Sequence, residues 1–138
     1  MKLYVFEVLE KIAKARTKKE KVEILQQNDS GALRDICRGT FDDSIVWLLP
    51  EGAPPYTANK PESTPSDLHR ECRMFAYLVK GGKGPNLNQI RREKIFIGIL
   101  ESIHPEDANV VVSMINKKPP KGLTRSVVEE AFPNLLLK

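Results

Sequence analysis

The sequence predicts a single all-α domain, and three observations carry that prediction. Apolar residues recur at the 3.6-residue helical period along most of the 138 residues. Helix-capping residues, Thr17, Ser30 and Ser66 among them, stand just ahead of those periodic stretches. Prolines and glycines fall between the stretches, where they end helices rather than interrupt them.

Residues 3–15 place Leu3, Phe6, Leu9, Ile12 and Ala13 on one helical stripe. Thr17-Lys18-Lys19-Glu20 is a capping box, which starts a second helix at about Lys18 and carries it to Leu25 or Gln26. The joint at Ala15-Arg16-Thr17 makes these two a helical hairpin with a basic tip. Asn28 to Gly31 form a turn. Ser30 caps a third helix with Leu33, Ile36 and Cys37 inward, and Gly39 is expected to end it. Ile45 to Leu49 is too short to assign to helix or strand, and buried packing is expected either way.

Pro50 stops that run. Pro54, Pro55, Pro61 and Pro65 then mark a surface loop that wraps the domain. Ser66 is expected to cap a fourth helix reaching about Val79, with Leu68, Cys72, Phe75, Ala76 and Val79 inward. Gly81-Gly82-Lys83-Gly84-Pro85 ends it. A fifth helix is expected from about Asn86 to Ser102, with Leu87, Ile90, Phe96 (or Ile97) and Leu100 inward and Arg91, Arg92 and Lys94 outward. Pro105 suits the first position of a sixth helix, and Glu106 and Asp107 suit the positive end of its dipole. That helix should run to about Asn116. A seventh covers Arg125 to Ala131, and Pro133 with Leu135 to Leu137 closes the chain on the core. The expectation is about seven helices in one domain over residues 1–138.

Composition bounds the function. Hydrophobic residues at 41% and charged residues at 29% are ordinary for a soluble globular chain with a real core. No apolar run approaches the ~18 residues of a membrane span. The N-terminus becomes charged too soon for a secretory signal, and Cys37 and Cys72 lack metal-ligand spacing. A cytoplasmic protein with two reduced cysteines and no membrane partner is the expectation.

No catalytic constellation stands out. His69 and His104 lie far apart in sequence, each better explained as a surface or capping residue. Gly81 to Gly84 follows no strand and lacks the Gly-Lys-Ser/Thr of a nucleotide-binding loop, yet Lys83 and the free amides there suit a backbone phosphate. The reading is of no enzyme, no cofactor and no metal.

The net charge of +4 is modest, but its distribution is uneven. Basic residues gather at 11–21, at 80–94 and at 117–125, while 42–71 is acidic. The last basic stretch is Lys117-Lys118-Pro119-Pro120-Lys121-Gly122-Leu123-Thr124-Arg125. Pro119 pushes Lys118 out of helical geometry, so the sixth helix should stop there. Gly122 can take a positive φ or let another backbone come close. Thr124 is a candidate N-cap. Such a turn suits a phosphate backbone; the plain alternative is a solvated hinge between two helices. Trp47 is expected in the core, with base stacking as the lesser alternative.

The order of these segments resembles a known family. Ile12-Ala13, Thr17 to Leu25 and Leu33 to Phe41 are similar to the opening of the N-terminal DNA-binding domain of ATP-dependent DNA ligases, especially those of T-even-like bacteriophages. Leu78 to Ile90, Pro105 to Ile115 and Lys117 to Leu136 resemble its later helix junctions, its penultimate helix and its closing basic-glycine turn. The resemblance implies an all-helical module that grips duplex DNA through backbone and minor groove. The implied contacts are Lys18, Lys19, Lys83, Arg91, Lys117, Lys118, Lys121, Gly122, Thr124 and Arg125. The Lys-x-Asp-Gly motif whose lysine takes AMP in that family is absent, which makes the expected role a free-standing, non-catalytic phage module. A rival expectation is a protein-interaction module that docks a host or replication protein through Trp47 and the proline-rich loop. Because the AMP-accepting motif is missing, incubation with labelled ATP should leave no covalent adenylate on the chain, as read by mass spectrometry.

Overall fold

The fold follows from where the apolar stripes find partners. The computed structural model describes residues 3–84 and 86–136. Seven α-helices occur among them: α1 (Val5–Lys14), α2 (Lys18–Gln27), α3 (Gly31–Phe41), α4 (Leu68–Glu71), α5 (Gln89–Leu100), α6 (Pro105–Ile115) and α7 (Arg125–Ala131). A 3₁₀ segment, Cys72–Tyr77, continues α4. Among the described residues there is no β-sheet, and no helix is long and apolar enough to cross a membrane. The all-α single-domain expectation holds.

The three most extensive helix contacts are α2 with α7, α1 with α2 and α3 with α6. Ile12, Leu25, Leu33, Ile36, Leu78, Leu100 and Val111 meet in one fully buried cluster, each within about 1% of zero exposure. Removing that much apolar surface from water is the main favourable term in a domain of this size. Thr17, Ser30 and Thr124 cap α2, α3 and α7 as their positions suggested.

Four local expectations are corrected. On α1 the buried stripe is Val5, Val8, Leu9 and Ile12, whereas Phe6 and Ala13 are half-buried. Phe6 turns instead to stack on His104, with ring centroids 4.5 Å apart. Gly39 does not end α3, which runs on to Phe41. It makes room: a Cβ there would lie 2.6 Å from Met114 Sδ and 2.6 Å from Trp47 Cζ2.

The cap of α4 is Asp67, not Ser66, and the helix tightens after one turn instead of running to Val79. That winding delivers Leu78 and Lys80 to the 46–48 segment. Leu48 N–H bonds Leu78 O at 2.8 Å and Lys80 N–H bonds Val46 O at 2.9 Å. The ambiguous apolar run is therefore extended, with one isolated bridge between Trp47 and Val79.

On α5 two residues exchange places. The helix begins at Gln89 behind an Asn88 cap, so Arg92 falls on the stripe of Phe96 and Ile99 and is buried. Ile90 is left 68% exposed. Arg92 survives burial because its guanidinium donates to Gln89 Oε1 (2.9 Å) and Leu87 O (3.1 Å). Pro85, expected to help end the fourth helix, and Leu137, expected to close the chain on the core, lie outside the described residues.

The proline-rich loop is strapped down. Asn59 Nδ2 donates to Glu101 O (2.8 Å) and Ile103 O (2.9 Å), and Thr57 N–H donates to the Glu101 carboxylate at 2.7 Å. Gly52 N–H reaches Asn116 Oδ1 at 2.8 Å.

The first turns of α1 and α6 are joined by one carboxylate. Asp107 Oδ1 accepts the Phe6 N–H at 2.8 Å while the residue is only 1% exposed. Burial pushes its pKa up to about 6, against the opposing pull of the Phe6 N–H, His104 and His69. An acid with a raised folded-state pKa binds more protons folded than unfolded, so its contribution to stability falls as pH rises. For Asp107 that fall spans about pH 4 to 6. Asp107→Asn keeps an acceptor for Phe6 and removes the charge. Relative to native protein it should therefore gain stability between pH 4 and 6, on the order of 2 kcal/mol, and hold the gain above. Urea melts across that range check it; a constant difference at all pH would refute it.

Candidate nucleic-acid interface

The turn between α6 and α7 is built by its prolines and its glycine. Helix α6 ends at Ile115, one residue short of the expected end at about Asn116. Lys117 N–H bonds Met114 O at 3.0 Å and Lys118 N–H bonds Ser113 O at 2.9 Å, the paired bonds that close a helix through a left-handed residue. That residue is Lys117, at φ 56. A lysine there costs roughly 1 kcal/mol more than glycine. Gly122 has φ +82, and a Cβ on it would sit 3.1 Å from Ala13 Cα and 3.2 Å from Ile12 O. It thus does both things the sequence suggested: it turns left-handed and admits another backbone. Thr124 Oγ1 then accepts the Val127 N–H at 3.3 Å to cap α7.

Seating Gly122 on the end of α1 brings two distant basic segments together. The α1–α2 tip contributes Lys14, Arg16, Lys18 and Lys19, all exposed; the turn contributes Lys118 and Lys121, also exposed. Lys18 Nζ reaches Glu130 on α7 at 3.9 Å, with both side chains more than half exposed. A solvated pair of that kind adds little stability and leaves Lys18 available.

Two of the expected contact residues face inward instead. Lys117 Nζ donates to Asp42 O at 2.9 Å, and Arg125 Nη2 donates to Phe41 O. Arg125 also lies 3.7 Å from the exposed Asp43 carboxylate. These cations close the C-terminal carbonyls of α3, where the helix dipole is negative. Desolvation pulls the Lys117 ammonium pKa down, while Asp43 and Asp42 oppose it. Lys83 and Arg91 are exposed but belong to other elements, the loop after the 3₁₀ segment and the first turn of α5. That region leans on the 46–48 segment, with Gln89 Nε2 donating to Leu48 O at 3.1 Å. Among the described residues no group of three or more His, Cys, Asp or Glu is placed to hold a metal ion.

A family model matches residues 8–121. The chain belongs to the DUF6433 family. DUF6433 is a family of unknown function, and the match takes in the α1–α2 tip and the turn as far as Lys121. Comparison with curated proteins finds no match.

In this DUF6433 chain, sequence reasoning missed the inward role of Lys117 and Arg125. The signal was present in the acidic pair Asp42-Asp43 directly after α3, which gives nearby cations a reason to turn in. Substitutions separate the two effects at Lys117. Lys117→Ala loses the bond to Asp42 O and keeps the left-handed strain, so it should lower stability by about 1 kcal/mol. Lys117→Gly loses the same bond but relieves the strain, so it should be about 1 kcal/mol more stable than Lys117→Ala. Gly122→Ala, blocked by the α1 backbone and by its positive φ, should be worse than either, by about 2 kcal/mol or more. Urea midpoints rank all three.

Proposed function

We propose that this domain binds DNA, as intact or nicked duplex, through backbone phosphates and without catalysis of its own. The observation that carries the reading is the seating of Gly122 on Ala13, which brings the turn that carries Lys118 and Lys121 to the end of α1, next to the tip that carries Lys14, Arg16, Lys18 and Lys19. Cations gathered from segments about a hundred residues apart make a surface that a phosphate backbone can follow, whereas a single basic helix face would more simply be a solvated flank. The resemblance to the ligase DNA-binding domain, minor-groove approach included, supports the same reading. Glu10, Glu20 and Glu130 lie among these lysines, which favours moderate, salt-sensitive binding over a tight grip.

Lys83 and Arg91, exposed on other elements, are further cations that a long duplex could reach. Lys117, Arg125 and Thr124 support the turn from within. A cytoplasmic setting goes with this reading, in keeping with the free thiols of Cys37 and Cys72. A protein partner, such as a host or phage replication protein, is the second reading. The exposure of Ile90 (68%) and Val46 (45%) on the 46–48 side favours it.

The test is a gel-shift series with single-stranded, intact and nicked duplex at several salt concentrations. Native protein should bind duplex with a steep salt dependence and no sequence preference. Replacing Lys18, Lys19, Lys118 and Lys121 by Ala should weaken all duplexes alike. It should also reduce the slope of log affinity against log salt by about 0.9 for each phosphate that is no longer neutralised. A folded quadruple variant with native affinity would overturn the proposal and leave the protein-partner reading.

A further inference from the structure

Away from the basic surface, a cleft opens between α3, the 45–47 segment and the 3₁₀ segment. Its volume is about 270 Å³, and its walls are mainly apolar, with Trp47, Phe75 and Val79 foremost. Small-molecule sites run from roughly 300 to 1,000 Å³, so this one suits a single compact ring system and excludes a dinucleotide.

The walls are fixed from behind. Trp47 Nε1 donates to Gly39 O at 3.0 Å, and the indole lies where a side chain on Gly39 would otherwise stand. Phe75 meets the indole edge-on, with centroids 5.8 Å apart and planes at 88°. The backbone bonds of Leu48 to Leu78 and of Lys80 to Val46 tie the two sides of the cleft together. A preformed aromatic slot of this kind binds without an ordering penalty.

The mouth sets the charge of the occupant. Asp35 and Arg38 line it as a pair, 3.1 Å apart. Arg73 also lines it, is exposed, and makes no ion pair or side-chain hydrogen bond among the described residues. One free guanidinium above an aromatic slot matches a planar ligand carrying a single carboxylate or similar anion. We propose that this cleft is a binding site for a small aromatic anion, its ring against Trp47 and Phe75 and its charge on Arg73. Burial and the neighbouring Asp35 push the Cys72 thiol up to about 11, so it stays protonated near neutral pH and binding is non-covalent. The site is independent of the DNA-binding reading.

Trp47 is the single tryptophan, so its indole N–H gives one resolved signal in a ¹⁵N-labelled sample. The probes are 2-naphthoate and its neutral isostere 2-naphthamide. Naphthoate should move the indole signal saturably, and naphthamide should bind at least about fivefold more weakly. Arg73→Gln should erase that preference, while Arg70→Gln, an exposed arginine outside the cleft, should keep it. Ala76→Phe, which fills the cleft, should abolish both titrations. The Lys18/Lys19/Lys118/Lys121 variant should bind naphthoate as native protein does, so loss of DNA binding and loss of this site are read separately. The proposal is overturned by an indole signal that naphthoate does not shift saturably, by equal affinity for the two probes, or by Arg73→Gln keeping the preference. Because Arg73 is an exposed side chain, that last comparison stands even if Ala76→Phe fails to fold.

Discussion

The close backbone approach of Gly122 to Ala13 is the constraint that the basic surface depends on. A side chain at Gly122 would force the α6–α7 turn off the end of α1. The turn would then no longer hold α7 against α2, the pairing with the most extensive contact in the molecule. Through that pairing Leu25, Val127 and Val128 are buried together, so one glycine links a surface arrangement to the core. The usual division between residues that fold a protein and residues that act for it does not apply cleanly to this turn.

The same turn shows how charge can be divided between two tasks over a few residues. Lys117 and Lys118 are adjacent, yet one donates inward to the carbonyl end of α3 and the other stays in water. The left-handed backbone at Lys117 is what separates them, because it reverses the chain direction between the two side chains. Arg125, eight positions on, returns to the same α3 terminus. Two cations committed to α3 carbonyls hold the turn in place for the cations that remain exposed, and electrostatics here acts first as positioning.

The fold class and most helix positions were legible because they rest on local chemistry. Thr17, Ser30, Thr124 and Pro105 act within a few residues of themselves, and the apolar period needs no knowledge of the partner. What failed depended on distant neighbours. Gly39 reads as a stop in sequence but serves as a recess for Trp47 and Met114, which lie 8 and 75 positions away and cannot be inferred from a turn rule. Arg92 reads as a surface residue until Leu87 and Gln89 supply its acceptors. At the candidate surface the residue types and their clustering were visible. Which lysines point out was not, since the acidic pair Asp42-Asp43 marks the end of α3 but does not say which cations reach the carbonyls of Phe41 and Asp42.

Apart from α2, the partners of the first helix come late in the chain. Phe6 is held by Asp107, α1 carries the turn at Gly122, and α2 lies on α7. The N-terminal hairpin therefore cannot complete its burial, and Val5, Val8 and Leu25 stay in contact with water, until residues beyond about 130 have left the ribosome. Helical domains usually fold fast because their contacts are local, and this wiring moves the rate toward that of topologies closed by long-range pairing. It also makes the domain indivisible: no cut between α3 and α6 yields two halves that each keep a dry core.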